Sequence, residues 1–388
     1  MTFSYAVCAG AAAAILLNAS AATAARESVV YTFCGPGSVC PSEPSAGALI
    51  EVRGELYGTT DGGGQFLRGT LYKFDPATRR MTVLHSFGGS GDGIGANGLL
   101  HADGMFYGTT VAGGAFDKGT VFAFDLKTKS ETVLHSFGGS GDGANPEITV
   151  PIKAGGLLYG ATAWGGAYGD GTVFSVDPGT GAETVLHSFQ NNGSDGFSPW
   201  AGLTNSHGML YGTTVWGGTG TQCADEGCGT LYSINPQNSA YAVLYSFTGI
   251  DDAVFPMASL LHYKGMLYGT SLDGVGVFSF DPQTQIETMI KDSQVATRSM
   301  GALIGRHGKL YGTNPDEGHH TCLGGSMCGD VFAVDFRNGG GKVVYALRNN
   351  GTDGNDPEAG LVDVNGVLYG TTVLGGARNG GTIFTVKP

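Results

Sequence analysis

A five-residue motif recurs seven times along the chain and constrains the fold more than any other feature. It reads Leu-Tyr-Gly-Thr-Thr or a close variant, and its tyrosines stand at positions 57, 107, 159, 211, 268, 311 and 369. A period of about 40 to 60 residues, in units rich in short strands, is typical of β-propeller blades. The repeat therefore predicts an all-β, seven-bladed β-propeller.

Each unit predicts four antiparallel strands, which we name A to D in chain order. Strand B is the repeated motif; strand A precedes it, as in Ala201–Asn205, and a tight turn with glycine joins the two. Strand C is a run such as Gly119–Asp125, and strand D is a run such as Thr132–Phe137. The last unit ends on a strand C, whereas the N-terminal segment Ser28–Phe33 has the pattern of a strand D. We therefore expect this segment to complete the last blade and close the ring.

The chain also resembles a known family. The succession of Leu-Tyr-Gly-Thr-Thr, Gly-Gly, Gly-Thr-Val-Phe, Asp-Pro and Thr-Val-Leu-His-Ser-Phe is similar to the GloVer tandem repeat of exported bacterial proteins named "choice-of-anchor". The resemblance covers residues 28 to 388. It implies an exported, propeller-like protein, and it implies no particular activity or catalytic residues.

Composition and charge bound the domain organisation and the partners. Apolar residues make up 41% of the chain, enough for a core, and residues 26–388 are expected to form one propeller domain. Residues 1–25 are typical of a signal peptide, with an apolar run at Ala9–Leu17 and small residues at Ala22–Ala24. The net charge of -13 repels phosphate backbones and anionic lipid heads. We expect a secreted or periplasmic monomer that neither binds nucleic acid nor inserts into a membrane.

Six of the seven cysteines form three close pairs in the sequence. They are Cys34 with Cys40, Cys223 with Cys228, and Cys322 with Cys328. Local, even pairing of this kind favours disulfides in an oxidising compartment. A single zinc site near Cys322 is the alternative, because two histidines lie close to it in the sequence.

One face of the predicted ring carries the D-to-A and B-to-C connections, and we call it the long-loop face because the long insertions fall on it. Loops on a rigid scaffold commonly form binding sites. All three tryptophans, Trp164, Trp200 and Trp216, fall on this face in blades three and four. Aromatic faces there can stack on sugar rings, or they can simply pack beneath the loops. Arg298, after the irregular fifth blade, is a candidate partner for a substrate carboxylate, although it can equally neutralise its neighbours.

Acidic residues cluster on the same face. Glu147, Asp195 and Glu358 are candidate catalytic carboxylates for glycan cleavage. Asp353, Asp356 and Glu358 are candidate oxygen ligands for calcium. Against both interpretations, the Asp-Gly dipeptide recurs at one repeat position, which favours a requirement of the turn.

Histidines on strand D invite a catalytic interpretation that the repeat argues against. His85, His135 and His187 share one position, and tyrosine takes that position at residues 31, 245 and 345. Two amphipathic rings that replace each other indicate a structural role. No Ser-His-Asp order, phosphate loop or dinucleotide motif occurs in a usable context.

These observations favour a non-catalytic exported propeller that binds a glycan or another extracellular partner through the long-loop face around blades three and four. The first alternative is a polysaccharide-cleaving hydrolase or lyase that uses acidic residues near the pore mouth. The second is a structural or assembly propeller without a small ligand. Fold analogy alone does not choose between them, because propellers host all three.

Overall fold

The computed structural model describes residues 27–223, 226–250, 252–274, 276–290, 298–315, 327–348 and 350–388. Within these residues the regular structure consists of short antiparallel strands, arranged as the seven blades of a propeller. The predicted all-β, seven-bladed fold is therefore confirmed. In this part of the chain no helix has the length and apolar character needed to cross a membrane. The predicted signal peptide, residues 1–25, lies outside the described residues.

Every blade contains strands A to D in antiparallel order. The A strands are Ile50–Val52, Leu100–Ala102, Ile152–Ala154, Thr204–Ser206, Leu261–Tyr263, Ile304–Arg306 and Val362–Val364. The B strands are Glu55–Gly62, Met105–Gly113, Leu157–Thr162, Met209–Thr214, Met266–Thr270, Lys309–Asn314 and Val367–Thr372. The C strands are Thr70–Asp75, Thr120–Asp125, Thr172–Val176, Thr230–Ile234, Val277–Asp281, Asp330–Asp335 and Thr382–Val386. The D strands of blades one to six are Arg80–Ser86, Ser130–Ser136, Glu183–Ser188, Tyr241–Ser246, Ile286–Met289 and Gly341–Ala346.

Short additional ladders extend the blades beyond strands A and B. Their strands in the D-to-A connections are Ser42–Pro44, Gly93–Ala96, Gly143–Ala144, Gly196–Phe197, Ala253–Val254 and Gly354–Asn355. In four blades the partner is a separate strand after strand B, namely Trp164–Gly165, Trp216–Gly217, Asp273–Gly274 or Leu374–Gly375. In blades one and two the partner is the end of a longer strand B. We call these pairings the rim ladders.

The N-terminal strand Glu27–Thr32 is strand D of blade seven. It pairs antiparallel with Thr382–Val386, with Tyr31 opposite Ile383, and the next residue, Phe33, donates its N–H to the carbonyl of Gly381 at 3.0 Å. This pairing joins the two ends of the described chain within one sheet. The predicted closing strand is therefore present, paired beside the last strand C.

The core lies in the seams between blades. Eight clusters of buried hydrophobic side chains occur among the described residues, and seven of them each join two neighbouring blades, one for each pair. The seventh brings Phe33 and Ile383 of blade seven against Leu56 and Phe74 of blade one. Since every blade buries both faces against its neighbours, the sheets form a closed ring.

Glycine in the repeat has two distinct structural reasons. In the A-to-B turn of blade one, Arg53 and Gly54 have φ of 57° and 83°, and positive φ at both central residues recurs in all seven blades. This pattern fits the type I′ hairpin turn that the sequence predicts. In strand B, a Cβ on Gly58 would lie 2.5 Å from the Tyr72 hydroxyl, so glycine allows the strand C ring to cross the backbone.

Strand A begins later than the sequence predicts. The sequence places a strand at Ala201–Asn205, whereas the structure begins it at Thr204. Ala201 instead forms a parallel bridge to Ile148 of the preceding blade. Ala201 therefore pairs with the neighbouring blade and not within its own sheet.

Candidate functional site

The rim ladders place the predicted site residues on one face of the ring. Trp164 pairs with Ala144, and Trp216 pairs with Phe197, so in each blade the D-to-A connection lies beside the end of strand B. Both connections therefore emerge together, as predicted for the long-loop face. The A-to-B and C-to-D turns lie at the other ends of the strands.

The three tryptophans differ in how much of the ring is open to solvent. Trp164 is 49% exposed. Trp216 is half-buried, and its ring centroid lies 4.4 Å from that of Phe255 in the next blade. Trp200 is also half-buried; its Nε1 donates to Ser198 Oγ at 2.9 Å, and its carbonyl accepts the Ile148 N–H. Trp164 thus offers the most open aromatic face of the three.

Three further exposed aromatic rings lie on this face, and the sequence analysis missed them. Phe66, Phe116 and Tyr168 are 44%, 56% and 57% exposed and belong to the B-to-C connections of blades one, two and three. Each stands two residues after a Gly-Gly pair. This shared repeat position is the feature of the sequence by which they could have been found. Tyr168 shares its connection with Trp164. Aromatic rings therefore line the long-loop face across three consecutive blades.

A cavity of about 310 Å³ lies on the same face between blades three and four. Asn191 and Gly193 form one side, and Gly217–Thr221 with Glu226 and Gly227 form the other. Most of these residues are glycines, so main-chain N–H and carbonyl groups dominate the wall. Such a cavity is suited to a small polar group, with the Asn191 amide and the Glu226 carboxylate as the side-chain partners.

A second cavity, of about 250 Å³, lies at the ring axis. Every blade contributes to it, through Ala48, Leu100, Val150, Leu203, Ser259, Ala302 and Gly360. None of the described residues that line it carries a charge. An anionic substrate therefore finds no cationic partner on this described wall.

Two acidic candidates lie within two residues, along the chain, of residues that line this axial cavity. Glu147 directly precedes Ile148, which lines the cavity, and burial raises the pKa of the Glu147 carboxyl. Glu358 is half-buried and precedes Ala359, whose carbonyl accepts a hydrogen bond from Thr313 Oγ1 at 2.9 Å. Arg298 is half-buried, and its Nε is buried without a hydrogen-bond partner among the described residues. A substrate role for these three residues stays a prediction.

Asp195, the third acidic candidate, is held within the seam between blades three and four. Its Oδ2 lies 3.1 Å from His187 Nε2, and its Oδ1 accepts a hydrogen bond from the Tyr241 hydroxyl. Burial on its own would raise the pKa of this carboxyl, but the hydrogen bonds from His187 and Tyr241 outweigh burial and lower it. A carboxylate with a lowered pKa is a weak proton acceptor, so Asp195 is less suited as a general base than Glu147, whose pKa is raised.

The same contact explains why histidine and tyrosine replace each other on strand D. In five seams the ring approaches the aspartate of the following connection at 2.7 to 3.1 Å. The pairs are His85 with Asp92, His135 with Asp142, His187 with Asp195, Tyr245 with Asp252, and Tyr345 with Asp353. An imidazole N–H and a phenol O–H can both donate to a carboxylate. The geometry fits the structural role that the sequence suggests.

The proposed calcium ligands have separate surroundings. Asp353 is buried and its Oδ2 accepts the Tyr345 hydroxyl at 2.7 Å. Asp356 has a φ of 63°. Its main-chain N–H donates to the carbonyl of Cys328, and its carbonyl accepts the N–H of Val373. Within the described residues, the sets of three donor side chains with atoms in ligating proximity lie elsewhere. Calcium binding by Asp353, Asp356 and Glu358 stays a prediction.

Two of the three predicted disulfides are confirmed. Cys34 is bonded to Cys40, and Cys223 is bonded to Cys228. Cys328 is also disulfide-bonded, while its predicted partner Cys322 lies outside the described residues. The pairs lie in connections of the long-loop face and fit an oxidising compartment.

Seven repeated four-stranded blades with varied connections on one face define a repeat β-propeller. The chain belongs to the Gloeobacter/Verrucomicrobia repeat family, whose model matches residues 43–277. This finding confirms the resemblance seen in the sequence. A comparison with curated protein sequences found no match.

Solved structures with a similar fold include two oligogalacturonate lyases. One, in complex with manganese, is 13% identical to the chain over 95% of this chain and 94% of its own, with a TM-score of 0.53. The other, from Vibrio parahaemolyticus, is 11% identical with the same coverage and the same TM-score. At these identities the likeness concerns the fold alone.

Proposed function

We propose that this protein is an exported, non-catalytic propeller that binds a glycan or another extracellular partner through the long-loop face around blades three and four. The observation that carries the proposal is the open indole of Trp164, with the exposed ring of Tyr168 in the same connection. Aromatic faces combine a large apolar contact with low conformational cost, which suits stacking against the C–H face of a sugar. The cavity between blades three and four, whose lining includes Gly217 directly after Trp216, offers hydrogen-bonding groups for a sugar's hydroxyls.

Charge narrows the class of glycan. The chain has a net charge of -13, and Glu147 and Glu358 lie within two residues, along the chain, of residues that line the axial cavity. A polyuronate would meet repulsion there, whereas a neutral polysaccharide would not. We therefore expect neutral glycans to bind more tightly than uronate polymers at low salt.

The experiment is a binding screen of purified residues 26–388 against neutral and acidic polysaccharides, with the release of products followed in the same samples. Trp164→Ala is expected to weaken binding about tenfold, which corresponds to about 1.4 kcal/mol. Leu374→Ala is the matched control, because Leu374 occupies the same repeat position in blade seven. The control is expected to leave the affinity unchanged.

Binding that survives the combined replacement of Trp164, Trp200 and Trp216 by alanine contradicts the proposed site. Release of products that is abolished by Glu147→Gln or Glu358→Gln supports a hydrolase or lyase instead. The absence of any saturable ligand in a broad screen favours a structural or assembly role.

A further inference from the structure

Two polar clusters lie in seams between neighbouring blades, outside the proposed glycan site. Each contains a histidine of one strand D, the aspartate of the following D-to-A connection, and a glutamate of the next strand D. The first cluster, between blades one and two, is His85, Asp92 and Glu131. The second, between blades two and three, is His135, Asp142 and Glu183. We call them the seam clusters.

The donor atoms of each seam cluster converge. One nitrogen and two carboxylate oxygens lie within 4.8 Å of one another in both. His85 Nε2 is 3.0 Å from Asp92 Oδ2, and the Asp92 carboxylate also accepts the N–H groups of Gly88 and Gly93. The second cluster repeats this arrangement, with 2.9 Å between His135 Nε2 and Asp142 Oδ2. The backbone therefore fixes the aspartate, and the seam fixes the other two side chains around it.

The glutamate of each seam cluster contributes a buried carboxylate oxygen. Oε1 of Glu131 and Oε1 of Glu183 are buried, and neither has a hydrogen-bond partner among the described residues. Two carboxylates and a neutral imidazole carry two negative charges, which one divalent cation neutralises.

The next seam shows that the fold does not require this combination. There Tyr241 takes the place of the glutamate; its hydroxyl donates to Asp195, and its ring stacks on His187 with centroids 3.6 Å apart. That seam is satisfied by hydrogen bonds alone. The glutamates of the first two seams therefore add donor atoms that ring closure does not need.

We propose that each seam cluster binds one divalent transition-metal ion of the Zn²⁺ class through histidine Nε2, aspartate Oδ2 and glutamate Oε1. Ligands bound to Zn²⁺ at about 2.0 to 2.2 Å lie about 3 to 3.6 Å from one another, so small side-chain rotations complete the site. The His85 and His135 side chains are 23% and 20% exposed, which leaves access for a water as fourth ligand. A mixed nitrogen and oxygen set favours Zn²⁺ over Ca²⁺, which prefers six to eight oxygen ligands.

The test measures bound Zn²⁺ on untagged, chelator-treated protein by calorimetry and metal analysis. Glu131→Gln and Glu183→Gln are each expected to lower the number of tightly bound ions by one, and the double variant by two. Glu287→Gln is the matched control, because Glu287 holds the same repeat position in a seam that has Tyr245 in place of histidine. The control is expected to keep the wild-type number.

A second pair of variants guards against loss of folding. His85→Tyr and His135→Tyr introduce a residue that the repeat already uses at this position, and each is expected to remove one ion while the melting temperature without metal is retained. Tyr241→Glu is expected to add one ion by giving the third seam the same donor set. Wild-type stoichiometry in the glutamine and tyrosine variants, or no binding of Zn²⁺ by the wild type, overturns the proposal.

Discussion

Closure of the ring by the N-terminal strand predicts that Phe33 stabilises the whole molecule. Phe33 is fully buried, and its ring packs edge-on against Tyr31 and Tyr72 at 5.2 and 5.4 Å. Truncation of a buried phenylalanine to alanine costs about 3 to 5 kcal/mol. We therefore expect Phe33→Ala to lower the free energy of unfolding by that amount.

Phe137→Ala is the matched control for this prediction. Phe137 holds the same repeat position in blade two; it is also fully buried, and its ring lies 4.9 Å from Phe174. Because a closed ring makes the two seams equivalent, the two substitutions should cost the same within about 2 kcal/mol, the spread of such truncations.

The assay is guanidinium unfolding followed by tryptophan fluorescence with the disulfides intact. The slope m must agree between variants if free energies are to be compared. Where unfolding is irreversible, unfolding rates at fixed denaturant replace them. A loss of less than about 1 kcal/mol for Phe33→Ala, with a loss of about 3 to 5 kcal/mol for Phe137→Ala, would refute the closed ring. It would show that the N-terminal strand pairs with an open edge and adds little to the free energy of unfolding.

Two further predictions concern buried polar groups. The Tyr72 hydroxyl is buried without a hydrogen-bond partner among the described residues, and the equivalent residue of blade two is Phe122. Tyr72→Phe should therefore stabilise the protein by about 1 kcal/mol, and Phe122→Tyr should destabilise it. Denaturant midpoints measure both changes. Burial, with the charge of Asp252, raises the pKa of Glu287 from 4.5 to about 7. Between these pH values the folded chain therefore holds a proton on Glu287 that the unfolded chain has lost. Because the folded state binds more protons there, the free energy of unfolding falls as the pH rises. Glu287→Gln should flatten that fall in a series of melting temperatures with chelator present, and a series parallel to the wild type would refute the assignment.

The repeat allowed much of the fold to be predicted because its determinants are local. The A-to-B turn needs positive φ at two adjacent residues, and the strand B glycine needs only the ring of its own strand C. The match of Ser28–Phe33 to the other D strands was enough to predict the closing strand, since each blade must have four.

Side-chain contacts between neighbouring blades could not be predicted from the sequence. Trp164 and Trp216 hold the same repeat position, but Phe255 of the next blade covers Trp216, while the equivalent residue for Trp164 is the smaller Ser198. Likewise, Asp92 and Glu131 are 39 residues apart, and only the seam brings them together. The axial segment at Ala201 fails as a strand for the same reason, because the preceding blade supplies its partner.

The position of Glu27 opposite Val386 has a consequence for how the polypeptide can be rearranged. In blade one the corresponding place holds a tight turn, with Asp75 paired to Arg80. In blade seven, strands C and D thus pair without the C-to-D turn that joins them in blade one. A covalent connection at this turn is therefore not needed to hold the blade together. A circular permutant that joins Val386 to Glu27 by a short linker and opens another C-to-D turn should assemble the same ring.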